Sequence, residues 1–147
     1  MTDTAPISVL LVDDQPAILW GLEKLIEGER PRMTVAGQAC DRDTALRLAA
    51  AVQPHVILLD LDLAGERSLD FLPELLTLSH ARVLILTCLR DRTLHERALQ
   101  DGASGVVLKD EPAKALLDAI ARVSNGASRQ PAAYRADNGP GEKAVLP

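Results

Sequence analysis

The sequence predicts an α/β fold in which a parallel sheet has helices on both faces. Short apolar runs alternate with amphipathic stretches five times along the 147 residues. The apolar runs show little polar alternation, as expected of strands that are covered on both faces. Helix-capping and turn residues separate the runs, so each unit is a strand followed by a helix. The length suits one domain of ordinary size.

The first two units occupy the N-terminal third of the chain. Residues 7–12 have the pattern of a buried strand, and residues 16–29 follow with apolar side chains at helical spacing. Residues 33–38 form a weaker second strand, which we expect at an edge of the sheet. Asp41 can cap a helix over residues 44–52.

The remaining units follow the same plan. Strands are predicted at residues 56–59, 82–87 and 104–108. Helices are predicted at residues 68–79, from Asp91 or Thr93 to about Gln100, and from Pro112 to Asn125-Gly126. Proline is common in the first turn of a helix, and glycine is common just after the last turn. The last helix therefore has a start signal and a stop signal of its own.

The composition changes from about Ala127 onward. Residues 127–147 are rich in Pro, Gly, Ala and polar residues and show no periodicity. Such segments rarely bury enough apolar surface to fold. We predict one structured domain over residues 1–126 and a linker or disordered tail over residues 127–147.

Composition and charge exclude several classes of function. Net charge is −5 and no basic patch is visible, so we do not expect this chain alone to bind DNA strongly. The apolar runs are far shorter than the roughly 18 residues of a membrane helix. No signal-peptide pattern opens the chain. Cys40 and Cys88 lie far apart in apolar surroundings, which suits a reducing cytosol and predicts a cytoplasmic protein.

Polar residues that can carry chemistry follow four of the five predicted strands. Asp13 and Asp14 follow the first strand, and Asp60 follows the third. Thr87 ends the fourth strand and Lys109 follows the fifth. Functional residues of open α/β sheets collect at the carboxyl ends of the strands. We therefore expect three carboxylates, a hydroxyl and an ammonium group on one rim.

This grouping predicts a particular chemistry. Three neighbouring carboxylates repel one another unless a cation lies among them, and Mg²⁺ prefers oxygen ligands. A carboxylate can also attack phosphorus and form an aspartyl phosphate. A lysine and a hydroxyl can then neutralise and orient the phosphoryl oxygens. The set therefore favours transfer of a phosphoryl group onto one of the carboxylates beside Mg²⁺.

The same segments resemble the receiver domain of two-component response regulators over about residues 7–126. The segments that carry the resemblance are VLLVDD, VILLDLDLAG, VLILT and GASGVVLKD. Three further segments resemble the subfamily with a C-terminal LuxR/NarL-type helix-turn-helix domain, namely DDQP followed by WGLEKLI, the KD pair, and LLDAIARVSNG. The ordered set of five site residues is a strong signal, whereas a single Asp is a weak one.

The resemblance implies a flavodoxin-like (βα)5 fold, doubly wound, with strand order 2-1-3-4-5. It implies that Asp60 is the phosphoacceptor, that Lys109 pairs with the phosphoryl group and that Thr87 swings toward it. The donor would be a phosphohistidine of a sensor histidine kinase. Dimerisation on phosphorylation is an expectation, and DNA would be bound only through a C-terminal domain missing from this chain. No membrane partner is expected.

The resemblance also implies a ligand set for Mg²⁺. Asp14 and Asp60 would bind the ion directly, together with the backbone carbonyl of Asp62. Asp13 would act through a water molecule. Asp62 lies two residues after the phosphoacceptor, where a side chain can contact an attacking water. Our hypothesis is that Asp62 affects hydrolysis of the aspartyl phosphate.

Three positions depart from the usual receiver pattern, one of them Asp110, which stands where many receivers have proline after the lysine. Val106 stands three residues before the lysine, where an aromatic residue is usual, so coupling by rotation of a ring cannot occur in that form. Ala64 stands where the loop after the phosphoacceptor often has proline, and we expect it to loosen that loop. We therefore expect the outward signal to be weaker or to use another route.

Parts of this pattern are also compatible with other functions. A phosphohydrolase of the haloacid dehalogenase type also uses Asp-x-Asp after a strand, but that motif normally follows its first strand. A stand-alone receiver that acts by protein contact, and a receiver that is no longer phosphorylated, are further alternatives. Among other residues, the three histidines are predicted to lie at the surface or at strand ends, namely His55, His80 and His95. Trp20 is predicted to pack or to contact a partner.

Overall fold

The structure is a computed structural model that describes residues 6–126. The tail predicted over residues 127–147 lies outside the described residues. Each helix between residues 6 and 126 is too short or too polar to cross a membrane.

The described residues form seven strands and five α-helices. The strands are β1 (Ile7–Val12), β2 (Met33–Ala39), β3 (Val56–Leu59), β4 (Asp62–Leu63), β5 (Glu66–Arg67), β6 (Arg82–Thr87) and β7 (Gly105–Leu108). The helices are α1 (Pro16–Glu27), α2 (Arg42–Val52), α3 (Leu72–Leu78), α4 (Arg92–Gln100) and α5 (Ala113–Ser124). The predicted elements of the main sheet are confirmed to within about two residues at most ends.

Five of the strands form a parallel sheet in the order β2-β1-β3-β6-β7. Counted along the five strands of this sheet alone, the order is 2-1-3-4-5, so the flavodoxin-like topology is confirmed. The remaining strands, β4 and β5, pair with each other in a short antiparallel hairpin. Reversal of the strand order beside β1 leaves a crevice at the carboxyl ends of β1 and β3.

Two apolar cores lie on opposite faces of the sheet. One contains Leu10 of β1 with buried residues of α2, α3 and α4, and the other contains Leu11 of β1 with buried residues of α1 and α5. Successive residues of a strand point to opposite faces, so every residue of the all-apolar run Val56–Leu59 is buried. The helices that cover both faces hold the strand ends in register.

The segment between β3 and β6 differs from the prediction of one helix over residues 68–79. A 3-10 turn at Ser68–Asp70 comes first, and α3 begins only at Leu72, with Pro73 in its first turn. Proline has no backbone N–H and is tolerated at the start of a helix, so a continuous helix through Pro73 is unfavourable. The single long helix was therefore a wrong prediction.

The hairpin that follows Asp60 was not predicted. Its turn is Ala64-Gly65, and both residues have positive φ angles, 53° and 80°. A two-residue hairpin of the I′ type needs positive φ at both positions, which glycine adopts freely and alanine adopts at a cost. Ala64 therefore lies in the turn of a hairpin, and the looseness expected of this loop stays a prediction.

Several single side chains also differ from expectation. His95 is fully buried on α4, so its predicted surface position is wrong, whereas His55 and His80 are exposed. Cys40 and Cys88 are both exposed free thiols, although apolar surroundings were expected. Trp20 on α1 is 64% exposed, with the Lys24 ammonium 5.8 Å from its ring centre, which favours a partner contact over core packing.

Candidate functional site

The predicted site residues continue the strands at one edge of the sheet. Asp13 follows β1 and its N–H donates to the Ala39 carbonyl at 3.0 Å, and the Asp60 N–H donates to the Val12 carbonyl at 3.1 Å. The Lys109 N–H donates to the Thr87 carbonyl at 2.8 Å. Each residue thus extends the hydrogen-bonded ladder by one position, which fixes its backbone and brings the side chains to one rim.

Three carboxylates meet on this rim. Carboxylate oxygens of Asp13, Asp14 and Asp60 lie within 4.8 Å of one another. Asp13 is 2% exposed and Asp60 is 8% exposed, whereas Asp14 is more accessible to solvent than either. Partly buried carboxylates at this separation repel one another, and hard oxygen donors of this kind suit a divalent cation such as Mg²⁺. The donor set therefore fits the predicted ion.

Lys109 bridges two of the carboxylates. Its Nζ lies 2.7 Å from Asp13 Oδ2 and 3.1 Å from Asp60 Oδ2. Nζ also donates to Gln15 Oε1 at 3.3 Å. One ammonium group against three carboxylates leaves negative charge in excess. The site therefore retains an attraction for a cation even with Lys109 in place.

The environment shifts the pKa values of two of these groups. Burial raises the pKa of Asp60 and Asp13 adds to this, although Lys109 and the Asp62 N–H act in the opposite direction. For Lys109, burial lowers the pKa, but hydrogen bonds and charge interactions with Asp13 and Asp60 outweigh it, so the pKa is raised. Lys109 therefore stays charged at neutral pH, and ionised Asp60 is held at a cost to the folded state.

Asp14 is tied to the hairpin that follows Asp60. Its Oδ2 accepts a hydrogen bond from the Ala64 N–H at 2.9 Å, across 50 residues of sequence. Asp62 begins the hairpin and pairs with Arg67. Asp62 is exposed and lines the cleft beside Asp60. The Asp62 N–H lies 3.5 Å from Asp60 Oδ1, at the long limit of a hydrogen bond. The hairpin therefore closes one side of the acidic cluster.

Thr87 lies on the other side of the cleft as the last residue of β6. Its side chain is buried, and its Oγ1 accepts a hydrogen bond from the Leu89 N–H at 3.1 Å. The hydroxyl is thus engaged with the loop that leads to α4. Val106, in β7, is fully buried in the core beneath α4.

A cleft of about 220 Å³ opens at this edge of the sheet. The predicted site residues that line it are Asp14, Asp60, Asp62, Thr87 and Lys109, and Gln15, Cys88 and Leu89 complete the lining. A second groove of about 250 Å³ lies between α1 and α5 and is mostly apolar. Lys109 contributes to both, but the carboxylates of Asp14, Asp60 and Asp62 line only the first. The polar cleft is therefore the candidate functional site.

Sequence reasoning missed Ser68, which holds the backbone in place where β3 ends at Asp60. Its side chain is fully buried, its hydroxyl donates to the Asp60 carbonyl, and its N–H donates to the Leu61 carbonyl at 2.8 Å. These bonds return the chain to β3 after the hairpin. A lone serine in a polar segment carries no pattern, so only the three-dimensional contact reveals it.

We expect Ser68→Ala to destabilise the fold by about 1–3 kcal/mol, because it leaves the buried Asp60 carbonyl without this donor. Urea denaturation measures the change. Thr77→Ala is the matched control, since the exposed Thr77 hydroxyl also donates to a backbone carbonyl, that of Pro73. The control should change stability by less than about 0.5 kcal/mol. Equal effects of the two substitutions would contradict the role given to Ser68.

Comparison with protein families gives one match over most of the chain. The family model described as the response regulator receiver domain matches residues 9–121. The match includes every residue of the acidic cluster, as well as Thr87 and Lys109.

Curated relatives are longer than this chain. The nitrate/nitrite response regulator protein NarL of Escherichia coli (strain K12) is 32% identical over 127 residues, which cover 86% of this chain and 58% of the relative. The transcriptional regulatory protein LiaR of Bacillus subtilis (strain 168) is 32% identical over 121 residues, which cover 82% of this chain and 57% of the relative. The chain thus spans less than three-fifths of the length of these relatives.

Solved structures share the fold. A crystal structure of a LuxR-family two-component response regulator from Aurantimonas sp. SI85-9A1 matches with a TM-score of 0.83 and 29% identity, covering 98% of this chain and all of that one. The signal receiver domain of a putative response regulator NarL from Mycobacterium tuberculosis matches with a TM-score of 0.77 and 27% identity. The match covers 82% of this chain and 98% of that one. On the family match, the sequence identities and the fold, the chain belongs to the response regulator receiver domain family, close to the NarL/LuxR type.

Proposed function

We propose that the chain accepts a phosphoryl group on Asp60 from a phosphohistidine of a sensor histidine kinase, in a reaction that needs Mg²⁺. The observation that carries the proposal is the Asp60 carboxylate, which lies at the sheet edge within 4.8 Å of two other carboxylates and 3.1 Å from Lys109 Nζ. The receiver family to which the chain belongs consists of signalling proteins rather than conventional enzymes. Because the chain resembles two-component response regulators, we expect a sensor kinase as its partner.

Each residue has a distinct part in this proposal. An Asp60 oxygen attacks phosphorus as the P–N bond to the donor imidazole breaks, and the leaving nitrogen keeps the bonding electrons and takes a proton. Lys109 moves its ion pair from the carboxylate to the phosphoryl oxygens, and the Thr87 hydroxyl turns from Leu89 to donate to one of them. Bound Mg²⁺ would supply positive charge that stabilises the phosphoryl oxygens.

Four groups are proposed for the ion. Asp14 and Asp60 would bind it directly with the backbone carbonyl of Asp62, and Asp13 would act through water. The support for the three carboxylates is their close spacing. Asp14 also accepts a bond from the Ala64 N–H, so the same residue that would hold the ion contacts the hairpin that carries Asp62.

The proposed output of the receiver is control of a DNA-binding domain, and its support is the greater length of the curated relatives. Residues 127–147 would link the receiver to a DNA-binding domain, because the curated transcriptional regulators extend well beyond the matched region. A stand-alone receiver that acts by protein contact is the alternative, and the reading frame after Pro147 distinguishes the two. Dimerisation on phosphorylation and the cytoplasmic location typical of the family belong to this proposal as well.

The test uses the full chain with a small phosphodonor such as phosphoramidate. With Mg²⁺, intact-protein mass spectrometry should show the addition of one phosphoryl group, which chelation of the metal should prevent. A small aryl phosphate tests the phosphohydrolase alternative, since repeated turnover at a rate far above the life of one acyl phosphate would favour an enzyme. Absence of any added mass in the presence of Mg²⁺ would refute the proposal.

We further expect Asp62→Ala to slow hydrolysis of the aspartyl phosphate. The Asp62 carboxylate is exposed in the cleft, where it can orient an attacking water. The lifetime should lengthen on the order of tenfold, less than a full general base contributes. Asp70→Ala removes an exposed carboxylate of the neighbouring 3-10 turn and serves as the control. An unchanged lifetime in Asp62→Ala would refute the hypothesis.

A further inference from the structure

We infer that His95 is a positioning residue that couples the state of the Thr87 hydroxyl to helix α4. The inference rests on the proposed function of Asp60 as phosphoacceptor. It concerns the route by which a change at the site reaches the surface. That route cannot use rotation of an aromatic ring at position 106, because Val106 stands there.

The first link is the bond between Thr87 and Leu89. Thr87 is fixed by β6, and its Oγ1 accepts from the Leu89 N–H at 3.1 Å. The hydroxyl is thereby turned toward the loop. Rotation of the Thr87 side chain toward a phosphoryl group on Asp60 breaks this bond and frees the Leu89 N–H.

The second link joins the same residue to α4. His95 Nε2 lies 2.7 Å from the Leu89 carbonyl oxygen. A carbonyl oxygen only accepts hydrogen bonds, so Nε2 carries the hydrogen and donates it. The two backbone groups of Leu89 therefore have different partners. The Leu89 N–H donates to the Thr87 hydroxyl, and the Leu89 carbonyl accepts from the His95 ring on α4.

Burial makes the second link strong. His95 is fully buried, and with Ala98 it forms the buried face of α4, which packs against β7 and Val106. A buried polar ring that loses its hydrogen bond is costly, because water cannot replace the partner. His95 and the Leu89 carbonyl therefore tend to move together.

The connection between the two links is short. Only residues 88–91 separate the end of β6 from the start of α4. Asp91 caps the helix by accepting from the Thr93 and Leu94 N–H groups, and Arg90 forms an ion pair with Asp110 in the loop before α5. A loop of four residues held at these points has little slack, so a shift of Leu89 after release by Thr87 is passed to α4 through His95.

The test compares two substitutions in the full chain. In His95→Gln, the side-chain amide nitrogen can occupy the place of Nε2 and keep a donor, whereas His95→Met has similar length and no donor. Hydrogen–deuterium exchange of residues 92–100 is measured before and after Asp60 is loaded with beryllofluoride and Mg²⁺. Phosphoryl uptake at Asp60 is measured separately by mass.

All three proteins should take up a phosphoryl group at Asp60. Exchange in α4 should change on loading in the wild type and in His95→Gln, and the change should be smaller in His95→Met by about fivefold, the worth of one net hydrogen bond. A folded His95→Met protein with the full α4 response would overturn the inference, as would a His95→Gln protein that loses the response as completely as His95→Met.

A replacement variant and a separate measurement of phosphoryl uptake distinguish failure of the coupling from failure of folding or of phosphorylation. If His95→Met does not fold, His95→Asn replaces it, since its shorter amide ends near the place of Nδ1 and falls short of the Leu89 carbonyl. Failure of the wild type to gain mass at Asp60 would refute the proposed function itself. A normal gain of mass with an unchanged α4 response in the donor-free variant would refute the coupling through His95 alone.

Discussion

Asp60→Asn is expected to take up no phosphoryl group from phosphoramidate and Mg²⁺, whereas the wild type gains one. The amide has nearly the same shape as the carboxylate but lacks its nucleophilic oxygen, so the acyl phosphate cannot form. Lys109 retains its 2.7 Å contact with Asp13, which keeps the cleft in place. Intact-protein mass spectrometry followed by peptide mapping measures the loss.

Asp62→Asn is the matched control for this experiment. It makes the same chemical change two residues away, at an exposed position that lines the same cleft. Initial phosphoryl uptake should be preserved in the control. Equal gain of mass by the wild type and by Asp60→Asn would show that another residue is the acceptor.

The same Asp60→Asn substitution should raise the stability of the fold at neutral pH. Burial raises the pKa of Asp60 above its ordinary value of 3.8, so the ionised carboxylate costs the folded state free energy that Asn does not. As the pH falls through the raised pKa toward 3.8, the carboxyl takes up a proton in the folded state first and the cost disappears. Urea denaturation at several pH values should therefore show a gain that shrinks toward acid, and a gain that grows toward acid would contradict it.

Asp14→Asn is expected to weaken Mg²⁺ binding on the order of tenfold or more, because affinity for hard cations follows the number of charged oxygen ligands. The Asn side-chain oxygen can still accept from the Ala64 N–H, so the hairpin should keep its position. Calorimetric titration with Mg²⁺ measures the change. Phosphoryl uptake at limiting Mg²⁺ should fall in parallel.

Asp118→Asn provides the charge-matched control for Asp14→Asn. Asp118 is an exposed residue on α5, and it does not belong to the acidic cluster. The substitution changes net charge by the same amount and should leave Mg²⁺ affinity nearly unchanged. Equal weakening by both substitutions would mean that Mg²⁺ responds to overall charge and not to a site at Asp14.

The main sheet could be predicted because burial on both faces leaves a clear pattern. The all-apolar run Val56–Leu59 is followed at once by Asp60, and an abrupt change of this kind marks both a strand and its carboxyl end. The same reasoning placed Asp13 and Lys109 on the rim, where the ladder bonds to Ala39 and Thr87 hold their backbones.

The missed features depend on contacts that are distant in sequence. The strands on either side of Ala64-Gly65 have two residues each, which is too short to show any hydrophobic period. The turn between them also needs a positive φ angle at Ala64, a conformation that alanine rarely adopts, so the sequence does not predict a turn there. His95 stands in a helix with many charged and polar residues, so nothing local shows that a backbone carbonyl is available to its ring. Ser68 acquires its role only when the chain returns to Asp60.

The exposure of Trp20 makes helix α1 a built-in optical reporter. It is the only tryptophan of the chain, so emission excited at long wavelength comes from a single known place on the surface. Because 64% of the residue is open to water, a protein that covers α1 should shift this emission to shorter wavelength. A titration with a binding protein that lacks tryptophan can therefore be followed without any label, and such a protein that docks elsewhere would leave the spectrum as it was.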